Sequence, residues 1–535
     1  MNRVERAVLW ALTVLAIVPL WSARYLPFTD LPEHVAAEAT IAHLVARTGP
    51  DPALYELAFG RCQYLLYHGL GGLLTLVTGD AILANKVLLS IVALAFPLSL
   101  RAALRSFRRD EALAVFAIAP FLSRPLIIGF LPFVASIPLF FSGVALVRGV
   151  RTRGRVLLLA VWPVLLLFTH ASTTALFLAS ALLLEILEAG RSAATSRSWL
   201  ELAVRRSLWT VPGALGIGMW WTFGRITLRA DSLAGPGEIG TMGLARSLRA
   251  LPLWSFDLFS THLDEICGVA WWGALCIGAL LATRPDRPDD AVGIRGLVAR
   301  LDPSFVPLFV LGFAFLVTPF RVGAGGMLNV RLAPLIALAT TLTVGRAPRR
   351  ARPWLLGSVA IVTVLHCGNA AWAIRTIATR ETAGLDDVLA AMRPGTSVVS
   401  LQFDTRLGLS HVDPYPFVAS YHRAQGGGIA SYSFSELTHW PLQYRPGMAP
   451  PSKPGLWIYH PCTYRNGVDG PAYDYVLVGG AVEPFRDEPG GPAWRELRRA
   501  GSFTLYARQE GLGWTAPDLG PCRSVDPAAS TMGYR

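Results

Sequence analysis

The chain has 535 residues and a formal net charge of +12, and its composition is 53% hydrophobic and only 16% charged. With a mean hydropathy of +0.43, this composition excludes an ordinary soluble globular protein. The positive charge does not indicate a nucleic-acid partner, because the arginines lie in short clusters between apolar runs and are not interleaved with aromatic residues.

The first predicted element is an apolar run that follows Arg3 and Arg6 and ends at Trp21. A charged start followed by an apolar run is typical of a signal peptide and of a first membrane span alike. No small-x-small cleavage site follows this run, whereas many further apolar runs do. We therefore predict a first span that is not cleaved.

Arginine clusters set the predicted orientation of the spans. The clusters are Arg3/Arg6, Arg101/Arg105/Arg108/Arg109, Arg148/Arg151/Arg153/Arg155, Arg191/Arg197/Arg205/Arg206, Arg284/Arg287/Arg295/Arg300 and Arg346/Arg349/Arg350/Arg352. The positive-inside rule places all of them on the cytoplasmic side, so an even number of crossings separates successive clusters.

The first gap between clusters holds three apolar stretches, 7–23, 62–78 and 81–100, and one of them cannot cross. The middle stretch contains a histidine and several glycines and is predicted to lie along the outer interface. Segment 31–47 is amphipathic and is assigned to the same place. The first outer loop, 24–80, is therefore predicted to hold interfacial helices.

About eleven spans follow from this arrangement, each near the length that crosses a hydrocarbon core of roughly 30 Å. Their predicted limits are 7–23, 81–100, 111–123, 130–147, 156–170, 172–189, 208–224, 266–283, 304–320, 328–345 and 354–376. With a cytoplasmic N-terminus, an odd number of spans leaves the C-terminal part outside. The predicted domains are a transmembrane domain over 1–379 and a soluble exported domain over 380–535.

After the last span, charges, prolines and glycines increase and the apolar runs shorten to strand length. The predicted strands are 396–403, 474–479 and 502–507, and the predicted helices are 386–392 and 493–499. The expected fold class is a mostly α, polytopic membrane helical bundle of about eleven transmembrane helices with a C-terminal exported α/β domain. Cys462 and Cys522 can pair in an oxidising compartment, and two free thiols are the alternative.

The strongest local signal for chemistry opens the first outer loop, where the sequence PFTDLPEH contains Asp30, Glu33 and His34. Asp30 precedes Leu31 and Pro32, which is the arrangement of a helix N-cap followed by proline in the first turn. Three titratable groups at the edge of a bilayer can hold a metal, accept a proton or bind a polar headgroup. The alternative is helix capping and a solvated first turn.

Ionisable residues at span ends are a second signal, because burial of charge in a membrane is costly and is usually tied to function. Arg124, His170 and Arg321 are predicted at outer span ends, and Arg331 is predicted one turn inside a span. Arginine can hold a phosphate through two parallel hydrogen bonds. The alternatives are snorkelling of the arginines to the headgroups and a core or interfacial histidine.

A weaker cluster in the C-terminal domain contains His411, Asp413, Tyr415 and Tyr421. We interpret these as loop residues, with acceptor binding as the alternative. The sequence has no GxxxxGK[ST], GxSxG or HExxH motif, so neither a P-loop ATP site, a hydrolase elbow nor a zinc helix is expected.

The order of these features resembles the GT-C superfamily of membrane glycosyltransferases, which includes protein O-mannosyltransferases and lipid A aminoarabinose transferases. The shared features are a short cytoplasmic start, one span and a large outer loop that opens with an acidic residue. A tyrosine-rich stretch (YLLYHGL…VTGD) and an arginine-rich cytoplasmic turn then flank the second span. The resemblance covers residues 7–376, and an exported C-terminal domain is also typical.

The resemblance implies a bacterial inner (cytoplasmic) membrane protein that uses a polyprenyl-phosphate sugar donor, with membrane lipid as its other partner. The resemblance implies that Asp30 acts as general base or binds a metal, and we predict that Glu33 and His34 assist or orient it. The implied lipid-phosphate ligands are Arg124, His170, Arg321 and Arg331. Many members carry a second acid after the third span, whereas the loop here reads LSRPLIIG. This departure puts metal dependence in doubt, so no cofactor is assigned and a divalent cation stays an alternative.

The alternative function is a non-catalytic polytopic membrane protein, either a transporter or an envelope-assembly scaffold. A transporter should show repeat symmetry between its halves and charged groups near the middle of the membrane. The sequence has no such repeat, and its ionisable residues collect at one predicted face. A closed, apolar packing around Asp30 would favour a scaffold. The sequence indicates no oligomeric state.

Overall fold

The computed structural model describes residues 1–58, 63–150, 152–192, 196–228, 239–282, 301–322, 326–346, 348, 350–403, 408–437, 440–450, 457, 460–480 and 492–513. Helices predominate, as the composition predicts. The α-helices are α1 (Arg3–Leu15), α2 (Val18–Trp21), α3 (Leu31–Ala46), α4 (Asp51–Leu54), α5 (Leu65–Thr78), α6 (Ala81–Ser106), α7 (Arg124–Ile128), α8 (Leu131–Val147), α9 (Arg153–Thr169), α10 (Ala171–Ser192), α11 (Ser196–Ser207), α12 (Val211–Leu228), α13 (Leu244–Trp254), α14 (Leu263–Leu281), α15 (Phe305–Val317), α16 (Leu332–Thr343), α17 (Arg352–Glu381), α18 (Leu385–Ala390), α19 (Ser420–Gly426) and α20 (Asn466–Asp469).

The strands are few and short apart from the last two. They are β1 (Tyr55–Leu57), β2 (Ile239–Gly240), β3 (Arg321–Val322), β4 (Ser397–Gln402), β5 (Ile429–Ala430), β6 (Leu442–Tyr444), β7 (Tyr475–Gly479), β8 (Pro492–Ala500) and β9 (Phe503–Gly513). Short 3-10 helices lie at Glu111–Ala117, Ala119–Phe121, Leu208–Thr210, Phe434–Glu436, Pro461–Thr463 and Gly470–Ala472.

Many of the described helices are apolar enough for a membrane. Six are also long enough to cross it: Arg3–Trp21, Ala81–Ser106, Glu111–Ile128, Ala171–Ser192, Leu263–Leu281 and Arg352–Glu381. Four shorter apolar helices are Leu65–Thr78, Leu131–Val147, Phe305–Val317 and Leu332–Thr343. The chain is therefore a mostly helical, multi-pass membrane protein, and the count of about eleven crossings stays a prediction.

The segment predicted as a span at 111–123 is not one regular α-helix. It consists of two 3-10 helices, and α7 follows them. Pro120 and Pro125 each lack a backbone donor, which disfavours a continuous α-helix through this segment. Residues 112–129 are all buried, and burial within protein is the condition under which irregular backbone is tolerated at membrane depth.

The chain forms two compact units. Unit 1 comprises Met1–Pro19, Leu89–Leu126 and Phe130–Ala370, and unit 2 comprises Leu20–Leu88, Ile127–Gly129 and Ala371–Arg535. The predicted boundary between residues 379 and 380 stays a prediction. Most of the first outer loop belongs to the same unit as the C-terminal residues.

Unit 1 is a helical bundle. Within it α8, α9 and α10 pack on one another, α9 also packs on α12, and α15 packs on α16. At one place three distant segments join, because Arg352 lies 2.9 Å from Glu5 and 2.7 Å from Asp110. This arrangement agrees with the placement of three arginine-rich segments at one end of the bundle.

Unit 2 contains a five-stranded mixed sheet in the order β5-β4-β7-β9-β8. β4 is parallel to β5 and β7, whereas β9 is antiparallel to both β7 and β8. The strands predicted at 396–403, 474–479 and 502–507 are present as β4, β7 and β9. β1 pairs with β6, with Tyr55 opposite Tyr444.

The helix predicted at 493–499 is wrong, because this segment forms β8. β8 is one of the two edge strands of the sheet, and it pairs with β9 from Pro492 to Ala500. Its run of charged residues favours a helix locally, but pairing with a neighbouring strand overrides that preference. Charges on an edge strand also discourage pairing with another chain.

α3 carries the candidate residues of the first outer loop, and within unit 2 it packs on α5 and α19. Its first twelve residues, Leu31 to Ala42, are all buried. This stretch therefore has no exposed face. The amphipathic pattern predicted for segment 31–47 would have left one face of the helix exposed. Polar residues on this helix need partners inside unit 2.

Candidate functional site

Asp30 lies directly before α3, and its side chain is partly buried. It occupies the N-cap position, as predicted, but its side chain does not accept the capping hydrogen bond. The backbone of Asp30 has φ −88° and ψ −4°, which is a helical conformation. A capping side chain needs the extended conformation to reach the helix amides. The predicted capping role of the Asp30 side chain is therefore wrong.

The backbone before α3 is held by the segment 127–129. The backbone N–H of Thr29 donates to the Ile127 carbonyl over 3.0 Å, and that of Asp30 donates to the Ile128 carbonyl over 3.1 Å. Gly129 has φ +94°, and a Cβ atom there would lie 2.7 Å from the Asp30 nitrogen. Only glycine fits so close an approach in this conformation.

Residues 25–29, which lead to Asp30, are also held by residues of the C-terminal part of unit 2. The Tyr25 hydroxyl donates to Asp386 Oδ1 over 2.6 Å, and the Tyr415 hydroxyl donates to the Tyr25 carbonyl over 2.9 Å. The Thr29 hydroxyl donates to the Asp413 carbonyl over 2.8 Å. Asp413 and Tyr415, which the sequence suggested were loop residues, therefore fix the backbone that leads to Asp30.

Glu33 is completely buried and its carboxylate oxygens have several donors. Ser420 donates its hydroxyl to Oε1. Oε2 accepts from the Ser433 hydroxyl at 3.2 Å and from the Phe434 N–H at 2.7 Å. A guanidinium nitrogen of Arg423, also fully buried, lies 3.6 Å from Oε2. The Glu33 carboxylate is thus compensated inside unit 2, as a buried charge must be.

His34 is buried and hydrogen-bonded to a second histidine. Its Nδ1 lies 2.9 Å from His68 Nε2, and His68 Nδ1 lies 2.9 Å from the Tyr64 carbonyl. Because a carbonyl only accepts, the contact with Tyr64 makes His68 Nδ1 a donor. The Trp440 ring packs against both imidazoles. Burial, reinforced by the neighbouring His68, holds the pKa of His34 well below its usual value.

Glu38, one turn after His34, is a buried acid that sequence reasoning missed. Its Oε1 accepts from Asn85 Nδ2 at 2.7 Å, and the same amide contacts the Tyr67 hydroxyl at 3.1 Å. A Cβ atom at Gly71 would lie 2.3 Å from the Glu38 carboxyl carbon. Burial raises the pKa of Glu38 well above its usual value. A single acid within the largely apolar stretch 35–42 was the available signal.

Asp30, Glu33 and His34, at the first turn of α3, are not arranged to bind one divalent cation together. Both oxygens of Glu33 accept hydrogen bonds within unit 2, and the His34 Nδ1 is committed to His68. Hard cations need several oxygen ligands with lone pairs turned to one point. No step below is therefore derived through a metal at this place.

Two of the predicted lipid-phosphate ligands are buried in unit 1. The Arg124 Nη2 lies 3.2 Å from Asp257 Oδ2, and each side chain is only 8% exposed. His170 joins α9 to α10 and is 3% exposed. Its Nδ1 is 2.9 Å from the Ser172 hydroxyl, and the ring edge packs on Phe133.

The other two predicted lipid-phosphate ligands, Arg321 and Arg331, are more accessible. Arg321 is exposed in β3, opposite Gly240 of β2. Arg331 is partly exposed, and its guanidinium lies 3.7 Å from the centre of the Phe130 ring. Arg331 is the N-cap residue of α16 and does not lie one turn inside the helix as predicted, because residues 328–331 form a turn.

The structure thus brings Asp30, Glu33 and His34 together in one turn of unit 2. Arg124, His170, Arg321 and Arg331 all belong to unit 1, at the ends of different elements. Sequence reasoning missed Arg423 and the pairing of His68 with His34. No local pattern marks Arg423 as the partner of Glu33, which lies 390 residues earlier in the chain.

Comparisons with known proteins identify the fold. No protein-family model matches the sequence, and no curated protein matches it. The structure of ArnT from Cupriavidus metallidurans bound to undecaprenyl phosphate matches over 95% of this chain and 99% of that chain, with a TM-score of 0.54 and 11% identity. The apo state of ArnT matches over 95% and 98%, with a TM-score of 0.50 and 11% identity. The arabinofuranosyltransferase AftD from Mycobacteria matches over 94% of this chain and 40% of that chain, with a TM-score of 0.46 and 15% identity.

At this level of identity, the likeness to ArnT is one of fold, and fold alone does not establish an activity. It nevertheless extends over almost the whole of both chains. The chain therefore has the fold of ArnT, in agreement with the fold that the layout of its sequence predicts.

Proposed function

We propose that the protein is a membrane glycosyltransferase that moves a sugar from a polyprenyl-phosphate donor to an envelope or protein acceptor. The fold of ArnT supports the enzyme class, and the undecaprenyl phosphate bound to ArnT supports the lipid class. The observation that carries the proposal for this chain is the position of Asp30. Asp30 is partly exposed, its backbone N–H donates to the Ile128 carbonyl, and the hydroxyl of the preceding Thr29 donates to the Asp413 carbonyl.

In the proposed reaction, Asp30 acts as the general base. It takes the proton of an acceptor hydroxyl as that oxygen attacks C1 of the sugar. The bond between C1 and the phosphate oxygen breaks, and the lipid phosphate leaves with the electron pair. A base whose backbone is already fixed needs little reorganisation to reach the reactive geometry.

Glu33 and His34 are proposed to position Asp30 and not to touch the substrate. Both side chains are buried, at 0% and 3% exposure, and both are hydrogen-bonded inside unit 2. They follow Asp30 in the first turn of α3, and their backbone amides donate to the Asp30 carbonyl. Their bonds therefore fix the start of the helix.

The arginines of unit 1 are proposed to bind the phosphate of the lipid donor. Arg321 and Arg331 are the two with exposed surface, so they are assigned to direct contact. A guanidinium can stabilise the negative charge of the departing phosphate. Arg124 and His170 are more buried, and they are assigned to shaping the surroundings of that phosphate.

The proposed location is a bacterial inner membrane, with the N-terminus in the cytoplasm and the C-terminal residues outside. The arginine clusters support this orientation through the positive-inside rule. Cys462 is disulfide-bonded, and Cys522 lies outside the described residues. A disulfide in this part of the chain supports an oxidising compartment.

The test uses the full chain in proteoliposomes with a panel of radiolabelled polyprenyl-phosphate pentoses and hexoses and an envelope extract as the acceptor source. The native protein should release polyprenyl phosphate from at least one donor. Asp30→Asn should lower that rate by about 10²–10⁴-fold, the usual contribution of a general base. Asp387→Asn, at an exposed position of α18, is the matched control and should keep the native rate. Turnover of no donor, or a native rate in Asp30→Asn, would contradict the proposal.

A further inference from the structure

Two buried histidines of unit 2 face each other through their ring nitrogens. His34 Nδ1 lies 2.9 Å from His68 Nε2. The ring centres are 5.1 Å apart, and the ring planes differ by only 9°. Because the two nitrogens are much closer together than the ring centres, they lie between the rings and point at each other. This is the geometry of a hydrogen bond from one imidazole to the other.

The outer nitrogen of each ring meets a backbone carbonyl. His68 Nδ1 lies 2.9 Å from the Tyr64 carbonyl. The backbone of Gly129 accepts a hydrogen bond from His34, and Nε2 is the nitrogen left for this bond, since Nδ1 faces His68. A carbonyl only accepts hydrogen bonds, so both outer nitrogens must carry a proton.

The row of three hydrogen bonds needs one proton more than two neutral rings supply. A neutral imidazole carries one N–H, so two neutral rings supply only the protons of the outer nitrogens. The two inner nitrogens would then face each other with lone pairs. One further proton between them makes the middle hydrogen bond, whereas a second one would set two N–H groups against each other. The row is therefore complete when the two histidines together hold a single positive charge.

The acids on α3 do not already neutralise such a charge. Glu33 is compensated by Arg423 of α19, Glu38 Oε1 accepts from an amide of α6, and Asp30 is partly exposed to water. The other titratable groups described on the surrounding elements are phenols, which stay neutral in acid, or interact elsewhere: Tyr64, Tyr67, Lys86, Tyr421, His422 and Glu436. A second buried charge would therefore be costly.

The aromatic surroundings of the two histidines are compatible with one positive charge. The Trp440 ring centre lies 4.7 Å from that of His68 and 5.1 Å from that of His34. An aromatic ring attracts a cation within about 6 Å of its centre. Trp440 therefore stabilises a proton held by either imidazole.

We propose that His34 and His68 bind one proton between them and that this proton links α5 to the segment 127–129. The segment contains the Ile128 carbonyl, which accepts the backbone N–H of Asp30. His68 is thus a positioning residue for Asp30, and it acts through His34 and Gly129. Without the shared proton one of the three bonds is lost, so the hold on segment 127–129 weakens. This proton site does not depend on the transfer reaction.

The acidic range is where the site fills. Burial lowers the pKa of His34, so the proton binds below the ordinary histidine value of about 6.5. The positioning of Asp30 should therefore tighten as the pH falls through the midpoint of this site.

The first experiment is nitrogen NMR of the native full chain in proteoliposomes, with only its histidines labelled with ¹⁵N. Below the midpoint, a coupling between two ring nitrogens across a hydrogen bond should appear, and both rings should titrate together with uptake of one proton. The exposed His262, with a side chain 87% accessible, is the internal control and should show no such coupling. Two separate titrations that end in two imidazolium rings would overturn the proposal. The absence of a coupling at every pH at which the chain is folded would also overturn it.

The second experiment is hydrogen exchange of the peptide that contains Thr29 and Asp30, corrected for the intrinsic effect of pH. In the native chain its protection should rise about 2–10-fold below the midpoint, the factor that one hydrogen bond contributes. His68→Gln keeps a polar partner for His34 but does not titrate, so it should abolish the rise, whereas His262→Gln should keep it. Protection that is independent of pH in the native chain, or a rise that persists in His68→Gln, would contradict the positioning role.

Discussion

Charged side chains of α3 and arginines at the span ends of unit 1 differ in how far they are buried and in how their charge is compensated. Glu33 is fully buried, and Arg423 and several hydrogen-bond donors compensate it inside unit 2. Arg321 is exposed in β3. Burial of a charge costs several kcal/mol unless it is paired. The buried carboxylate is thus compensated by partners within unit 2, whereas the exposed arginine stays in contact with water.

Unit 1 shows the same contrast between two of its own arginines. Arg124 is buried against Asp257, with both side chains 8% exposed. Arg331 keeps exposed surface and lies over the Phe130 ring. A ring face attracts a cation without using up the hydrogen-bond donors of the guanidinium. Arg331 is therefore the more accessible of the two arginines.

The largest expected effect on stability is at Arg423. Arg423→Met leaves the Glu33 carboxylate buried without its cation and should lower the free energy of unfolding by about 3–5 kcal/mol. Thermal and denaturant unfolding of the purified chain would measure this change. Arg445→Met is the control, since Arg445 is 47% exposed and lies 3.7 Å from Glu56. An exposed pair contributes about 0–1 kcal/mol. Equal losses of unfolding free energy in Arg423→Met and Arg445→Met would therefore contradict the difference between the buried and the exposed ion pair.

The next effect concerns the lipid phosphate and not stability. Arg331→Met should weaken binding of polyprenyl phosphate by about 10–100-fold, because a hydrogen bond to a charged group contributes about 1.5–3 kcal/mol. The loss of its contact with Phe130 should lower the unfolding free energy by only about 0.5–1 kcal/mol. Binding of a fluorescent polyprenyl phosphate and thermal unfolding would be measured on the same sample. If Arg331→Met lost much of its stability and kept the native lipid affinity, Arg331 would stabilise the fold and would not bind the lipid phosphate.

The smallest effect is the pH dependence caused by Glu38. Burial raises the pKa of this carboxyl well above its usual value of 4.5, so the folded chain holds a proton that the unfolded chain releases. The resulting stabilisation is fully present below pH 4.5 and is lost as the pH rises through the folded-state pKa. Glu38→Gln keeps the shape without the ionisation, so it should be more stable than the native chain by about 1 kcal/mol at alkaline pH.

The control for this prediction is the same pair of proteins at pH 4, where their stabilities should converge because the native Glu38 is protonated in both states. Unfolding at a series of pH values would measure the difference. A difference that is constant with pH would mean that Glu38 does not release a proton on unfolding.

Much of the fold could be predicted from the sequence, because its strongest signals are local. Apolar runs placed the helices of the bundle, and the Asp-Leu-Pro sequence placed the start of α3 at Leu31. The short apolar runs placed β4 and β7. The charged residues of segment 493–499 favour a helix locally, so the sequence predicts a helix there. The pairing of this segment with β9 is visible only in the three-dimensional structure.

The candidate site was predictable only in part. Asp30 stands out because a carboxylate follows the first span, but the bonds that hold it and the neighbouring Thr29 are made to Ile128 and Asp413. The partner of Glu33 is Arg423, which nothing in the local sequence marks. Long-range pairing of this kind depends on the topology of unit 2, and a single sequence does not encode it as a pattern.

The central claim is that Asp30 does the chemistry while Glu33, three residues later, holds the helix in place. The most direct test is one measurement of transfer rate per folded molecule for Asp30→Asn and Glu33→Gln, with the melting temperature of each. Asp30→Asn should lose transfer at least about 100-fold and melt with the native protein. Glu33→Gln should melt at a lower temperature and keep most of the transfer of its folded fraction. A reversal, with native transfer in Asp30→Asn or a catalytic loss without destabilisation in Glu33→Gln, would contradict the account.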